Sequence, residues 1–231
     1  MAKFNGPKIV TDGLVLCLDA GNSKSYPGSG TVWTDLSGRG NNGTLTNGPT
    51  FNASNAGSIV FDGSNDYAIF TRPSSIVTGG SISISVWAKW TSTGTTTSMI
   101  QVLVDNNHAA PPSRGFVLQD RPDLSKALTF SVQPSTAAVI TSTFQVGDGT
   151  WHHIVGTNDT TTSRLYIDGV FNASLSEAGL ATVQPNISIG YWQSTPGRYL
   201  NGNIAQALMY NRALSAAEIR QNYNATKGRY S

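Results

Sequence analysis

Apolar and β-branched residues recur along this chain in short runs broken by Gly, Asn, Asp and Ser clusters. The stretch Ser81-Ile82-Ser83-Ile84-Ser85-Val86-Trp87 alternates strictly, so Ile82, Ile84 and Val86 share one face of a strand, the face that seeks a core. Leu14-Val15-Leu16-Cys17-Leu18 is continuous instead, the pattern of a buried strand. Trp151-His152-His153-Ile154-Val155 and Arg164-Leu165-Tyr166-Ile167 flank the polar residues 158–163 and read as a hairpin. Asp168-Gly169 then supplies a tight reversal, because Gly accepts φ > 0 freely and Asp accepts it better than most residues. A further hairpin joins residues 58–61 to 67–70 across Asp62-Gly63-Ser64-Asn65-Asp66.

More strands are expected near 98–104, 115–119, 127–132, 139–144, 187–190 and 203–210. With turn signals between them and no long amphipathic segment, the pattern predicts an all-β sandwich or jelly roll and not βαβ units. One helix start is marked. Ser215-Ala216-Ala217-Glu218 is a capping box, and Leu214 and Ile219 have the spacing of a hydrophobic staple. One or two helical turns should follow, with Ile219 and Tyr223 docking on the sandwich.

Composition narrows the function classes. Only 12% of residues are charged, against 39% hydrophobic, and the net charge is +2. The surface is therefore neutral and polar, and no basic stripe exists to meet nucleic-acid phosphates. The single Cys17 excludes an intrachain disulfide framework and reads as a small core residue. No apolar run is long enough for a bilayer span, and the opening residues break at once into Gly6-Pro7, unlike a signal peptide. Residues 1–12 are expected to be an N-terminal arm and 13–231 one sandwich domain. The arm's Phe4 and Ile9 are its apolar anchors, suited to docking on a larger assembly while the free arm frays.

Several motifs occur in order along most of the chain. They are Trp33-Thr34-Asp35-Leu36-Ser37-Gly38 with Asn42-Gly43-Thr44-Leu45, Phe61-Asp62-Gly63 with Asp66-Tyr67, the alternating strand, the Trp151 hairpin, and Gly202-Asn203-Ile204 leading to Tyr210-Asn211-Arg212-Ala213-Leu214-Ser215. Together they resemble the laminin-G-like branch of the concanavalin A-like lectin/glucanase superfamily. That resemblance implies a two-sheet antiparallel concanavalin A-like jelly-roll sandwich with one short C-terminal helix. Single-domain versions with such motifs resemble tailed-phage virion proteins. This implies phage capsid or tail proteins as partners, several copies per assembly, and a virion location after synthesis without an export signal.

Chemistry decides among functions on such a fold. Glycanases place two carboxylates across a sugar. The only glutamates here are Glu177 in a loop and Glu218 in the cap, and Asp120 and Asp123 flank what reads as a surface turn. His152 and His153 are adjacent strand residues facing opposite ways, so they cannot share one ion. Asp62, Ser64 and Asp66 begin like a calcium loop, but Tyr67 replaces its glycine and Pro73 its closing glutamate. No cofactor is expected from these residues; calcium would have to use other loops, as in some laminin-G-like domains.

Sugar binding asks for an aromatic face beside polar groups. Two loops offer it: Asp105, Asn107 and His108 in one, and Tyr191, Trp192, Arg198 and Tyr199 in the other. The same residues would equally serve a protein interface. The expectation is a non-catalytic virion surface component that docks on a phage assembly and contacts host glycans. A free-standing carbohydrate-binding lectin is the alternative and a glycoside hydrolase the third reading.

Overall fold

A computed structural model of the chain describes residues 7–106, 115–125, 127–132, 139–180, 182–193 and 197–230. Its strands begin and end where the turn residues stand. The first four are β1 (Leu14–Asp19), β2 (Val32–Trp33), β3 (Gly43–Thr46) and β4 (Thr50–Asn52). Then come β5 (Ser58–Asp62), β6 (Tyr67–Thr71), β7 (Ile82–Thr91) and β8 (Gln101–Asp105). Next are β9 (Val117–Arg121), β10 (Ala127–Ser131), β11 (Ile140–Gln145) and β12 (Asp148–Asn158). The last are β13 (Thr162–Ile167), β14 (Val170–Ser176), β15 (Asn186–Ile189) and β16 (Asn201–Tyr210), followed by helix α1 (Ala216–Thr226).

They pair into two antiparallel sheets. One, called sheet A, runs β14-β13-β12-β7-β16-β5-β4, with β1 also on β16; sheet B runs β11-β10-β9-β8-β15-β6-β3-β2. The expected two-sheet sandwich is therefore what this sequence forms. β7 lies at the centre of sheet A, paired along its length with β12 and β16. Its alternation works as anticipated: Ile82, Ile84, Val86, Ala88 and Trp90 enter the core between the sheets. Sheet B contributes Leu103, Leu118, Leu128 and Phe130 to the same core. The sheets approach so closely that a Cβ on Gly156 would stand 2.6 Å from the Phe130 ring.

The Asp168-Gly169 reversal has φ of 53° and 76°, both left-handed as a type I′ hairpin turn requires. The chain then continues into β14, an edge strand paired antiparallel with β13.

Helix α1 covers the outer face of sheet A. Ser215 Oγ accepts from Glu218 N–H at 3.3 Å while Ser215 N–H donates to Glu218 Oε2 at 2.8 Å, completing the capping box. Arg212 clamps the same glutamate through both terminal nitrogens, at 3.0 and 2.6 Å. The helix runs 11 residues, longer than the one or two turns expected. Its length follows from Ile219, Asn222 and Thr226, which lie on one face and are all buried against the sheet.

The N-terminal arm is corrected in part. Val10 is buried; its N–H donates to Asn222 Oδ1 at 2.8 Å and its carbonyl accepts from Tyr210 Oη at 3.0 Å. Asn222 Nδ2 donates to the same Tyr210 oxygen at 3.0 Å, closing a buried triangle. Gln221 also holds the Lys8 carbonyl, and Ile9 packs beside Leu214 and Ile219. Residues 8–12 therefore belong to the sandwich, because their polar backbone finds partners there. Phe4 lies outside the described residues.

Ser215→Ala should lower stability by about 1 kcal/mol, the usual value of an N-cap hydroxyl. Asn222→Ala should cost more, about 1–3 kcal/mol for each buried group left unpaired. Urea unfolding checks both, and equal midpoints for the two variants would contradict the buried triangle.

Candidate functional site

Two aromatic clusters stand out, one on each sheet. The first is the ribbon formed by residues 191–193 and 197–199, where Tyr191 and Tyr199 make an isolated antiparallel bridge beyond β15. The four residues expected to act together divide into two pairs with different neighbours. Tyr191 stacks on Tyr199 with ring centroids 4.8 Å apart and lies 5.2 Å from Tyr67 of β6. Trp192 packs beside Ile100, Val102 and Val117, and the Arg198 guanidinium sits 4.2 Å above its ring. Neighbouring residues of a ribbon point to opposite sides, which explains the division. All four remain half-buried.

Arg198 has no ion pair among the described residues. Its neighbour Asp123 is engaged by Arg121 through two contacts, of 2.8 and 2.6 Å. Burial and the nearby Arg121 charge push the Arg198 guanidinium below its ordinary value.

Asp105 is corrected. It is fully buried and its Oδ2 accepts the Gln193 N–H at 3.1 Å, while Gln193 Nε2 reaches the Asp105 carbonyl. These bonds tie the ribbon to the end of β8. Asn107 and His108 lie outside the described residues.

The second cluster was not anticipated. On the outer face of β7, Trp87 stacks on Tyr230 at 4.3 Å and on Tyr223 of α1 at 5.8 Å. Trp151 of β12 closes on Tyr230 at 5.2 Å. A cleft of about 310 Å³ opens here, lined by these four rings with Asp168 and Lys227. The signal for it lay in the alternation: if Ile82, Ile84 and Val86 face inward, Trp87 must face outward and needs a cover. Tyr223 of α1 and Tyr230, in the turn that follows the helix, supply that cover.

Both histidines sit beside this cleft in separate environments. His152 Nδ1 lies 2.8 Å from Asp168 Oδ2, and its Nε2 lies 3.4 Å from Asp148. His153 is buried between Trp87 and Tyr223, its Nε2 2.8 Å from Ser85 Oγ and its Nδ1 unpartnered. The Asp168 bond raises His152 above its ordinary range, whereas burial lowers His153 to about 4.

The remaining carboxylates hold turns and strands. Glu177 accepts from Ser131 and Ser163 hydroxyls at 2.7 and 2.8 Å. Asp120, expected on a surface turn, is fully buried within β9. Asp62 accepts the Ser64 amide and Asp66 the Asp62 amide, as turn-capping carboxylates do. No group of three or more His, Cys, Asp or Glu is placed to hold a metal ion among the described residues. Cys17 is a core thiol pushed up to about 12, chiefly by burial.

This fold and these motifs are those of a known family. The model of the concanavalin A-like lectin/glucanases superfamily, in its laminin-G form, matches residues 62–220, and the chain belongs to that family. No curated protein is significantly similar to it in sequence. Among solved structures it is similar to the binding domain of Paraclostridial Mosquitocidal Protein 1, with a TM-score of 0.72 and 18% identity. It is also similar to the botulinum neurotoxin serotype D binding domain, with a TM-score of 0.70 and 15% identity. A third similar structure, from work on botulinum neurotoxin type C cell entry through two ganglioside molecules, has a TM-score of 0.70 and 16% identity. The matches cover 93%, 93% and 94% of this chain but only 52% of each of those chains. The chain thus spans about half the length of these neighbours, and at such identities they share its fold alone.

The buried histidine sets a pH dependence. His153 ionises more readily in the unfolded chain, near 6.5, than in the fold, near 4. Unfolding therefore takes up a proton as pH falls, so His153 should leave stability flat above about pH 6.5 and lower it from there toward pH 4. His152, with a raised value, acts oppositely: its stabilisation is full below its ordinary range and fades as pH rises through the raised one. Urea midpoints of wild type and His153→Gln at several pH values separate the two. The variant should lose most of the decline above about pH 5, where carboxylates are still largely ionised.

Proposed function

We propose that the chain is a non-catalytic carbohydrate-binding module and that the ribbon of residues 191–193 and 197–199 is its glycan-contact surface. One observation carries this reading. A bridged pair of short segments gathers an indole, a guanidinium and stacked phenols, all half-exposed, on a support fixed from beneath by buried Asp105. Aromatic rings give sugar C–H faces an apolar surface, and the phenol and guanidinium groups give hydroxyls their partners. Stacked rings and the seated Arg198 also lose little freedom on binding, which favours affinity. Membership of a lectin and glucanase superfamily supports the same class, as does the fold shared with toxin binding domains.

Binding is favoured over hydrolysis because both glutamates are engaged, Glu177 by two serines and Glu218 by the helix cap and Arg212. The setting we infer is the surface of a tailed-phage particle, where such a module would dock on capsid or tail proteins and meet host glycans. What suggests that setting is the resemblance of the motif order to that of single-domain versions among virion proteins. Finding the chain in purified particles would test it, and its absence from particles made by an expressing phage would refute it.

A glycan array of wild-type protein should return specific signals. Tyr199→Ala and Arg198→Ala should each weaken them tenfold or more, about 1.4 kcal/mol. Incubation with β-glucans, galactans and bacterial surface polysaccharide should release no reducing ends. Full glycan binding by both variants would remove the ribbon from the site.

A further inference from the structure

We propose that the cleft between helix α1 and the outer face of sheet A is a second carbohydrate site, shaped for one neutral pyranose unit and independent of the ribbon.

The cleft's size sets the first condition. At about 310 Å³ it stands at the small end of ligand pockets, roughly 300–1,000 Å³, and suits one sugar ring better than a chain. Its walls are already organised. Trp87 and Tyr230 are almost fully buried and stacked, and Trp87 Nε1 donates to Thr226 Oγ1 at 2.8 Å. Trp151 and Tyr223 lean on this pair but keep part of their ring surface open. A cluster serving only to glue helix to sheet would close over all four rings.

Polar groups flank the rings in the way a polyol needs. Asp168 is held by His152 Nδ1 at 2.8 Å and by the His153 amide at 2.9 Å. A carboxylate offers about four acceptor positions, so it keeps capacity for ligand hydroxyls. Lys227 lies 5.2 Å from the Tyr223 ring centroid and pairs with no carboxylate among the described residues, leaving its ammonium to donate.

The charges choose the ligand class. A cationic ligand would meet Lys227 already resting on Tyr223, and an acidic sugar would meet Asp168. A phosphate would find one ammonium and no guanidinium in the lining. A neutral pyranose uses everything present: C–H faces on Trp151 and Tyr223, hydroxyls to the carboxylate and the ammonium. The site belongs to sheet A, through β7 and β12, whereas the ribbon extends sheet B. The two are built from different strands, so one can be lost without the other.

The test uses the full chain carrying Arg198→Ala and Tyr199→Ala, which disables the ribbon. Galactose, glucose and N-acetylglucosamine are titrated at millimolar concentration while the tryptophan indole N–H resonances are followed, with Trp151→Phe assigning the Trp151 signal. At least one neutral sugar should shift that signal saturably. Lys227→Gln, an exposed change that leaves the fold intact, should weaken the response about tenfold, and Asp168→Asn, which suits the left-handed turn, at least as much. N-acetylneuraminic acid should bind at least tenfold more weakly. An unmoved Trp151 signal with every neutral sugar, unchanged affinity in both variants, or preference for the acidic sugar would each overturn the proposal. Loss of all glycan binding with the ribbon alone would overturn it too, while leaving the ribbon reading in place.

Discussion

Sheet A has to be covered on both faces, and the rest of the molecule is arranged around that requirement. β7 places Ile82, Ile84, Val86, Ala88 and Trp90 in the core between the sheets, and its other face carries Ser83, Ser85 and Trp87. Trp87 is far too large an apolar surface to leave in water. The C-terminal helix and the turn after it answer this by laying Tyr223 and Tyr230 across the indole. The two serines are absorbed as well. Ser83 Oγ donates to the Arg212 carbonyl and accepts the Leu214 amide, so the strand fixes where the helix begins.

The attachment of that helix is polar at several points. Arg229 clamps Asp19 with contacts of 2.8 and 2.6 Å, and Gln206 holds the same carboxylate. Asn222, Tyr210 and Val10 close their triangle along the middle of the helix. In a chain with only 12% charged residues, two ion pairs tie elements distant in sequence together, Asp19 with Arg229 and Asp12 with Arg212, while Glu218 with Arg212 secures the helix start locally. Such contacts add modest stability but strong geometric preference, since a buried group left unpaired is expensive. They hold the helix in one position on the sheet, and that position decides how open the aromatic cleft is.

Local features were legible in the sequence because their causes are local. The Ser215–Glu218 cap, the Asp168-Gly169 reversal and the alternation at 82–87 each depend on residues within one turn or one strand. The features that escaped depend on register and on partners far along the chain. Nothing near Asp105 reveals that Gln193 will occupy its carboxylate, and nothing near Asp120 reveals that its strand is buried on both sides. The loop sequence put the four ribbon residues side by side, but their division into Tyr191 with Tyr199 and Trp192 with Arg198 needed the bridge between them. The cleft drew Trp87, Trp151, Tyr223 and Tyr230 from four elements. Only the outward-facing Trp87 hinted that something must lie over it.

The distribution of carboxylates bears on why this version of the fold reads as a binder. Catalysis on a sugar needs two carboxyl groups free to exchange protons across an open space. Here Glu218, Asp62, Asp66 and Asp19 each cap a turn, a helix or an arginine, and Glu177 accepts from two strand serines. Asp168 is the carboxylate that both carries structural bonds and lines an open cleft, and its neighbour across the rings is the Lys227 ammonium, not a second acid. A carboxylate opposite an ammonium can grip hydroxyls from two sides, but it offers no acid and base pair matched across a glycosidic bond. With those carboxylates engaged, stacking and hydrogen bonding are the chemistry on which the proposed recognition role would draw.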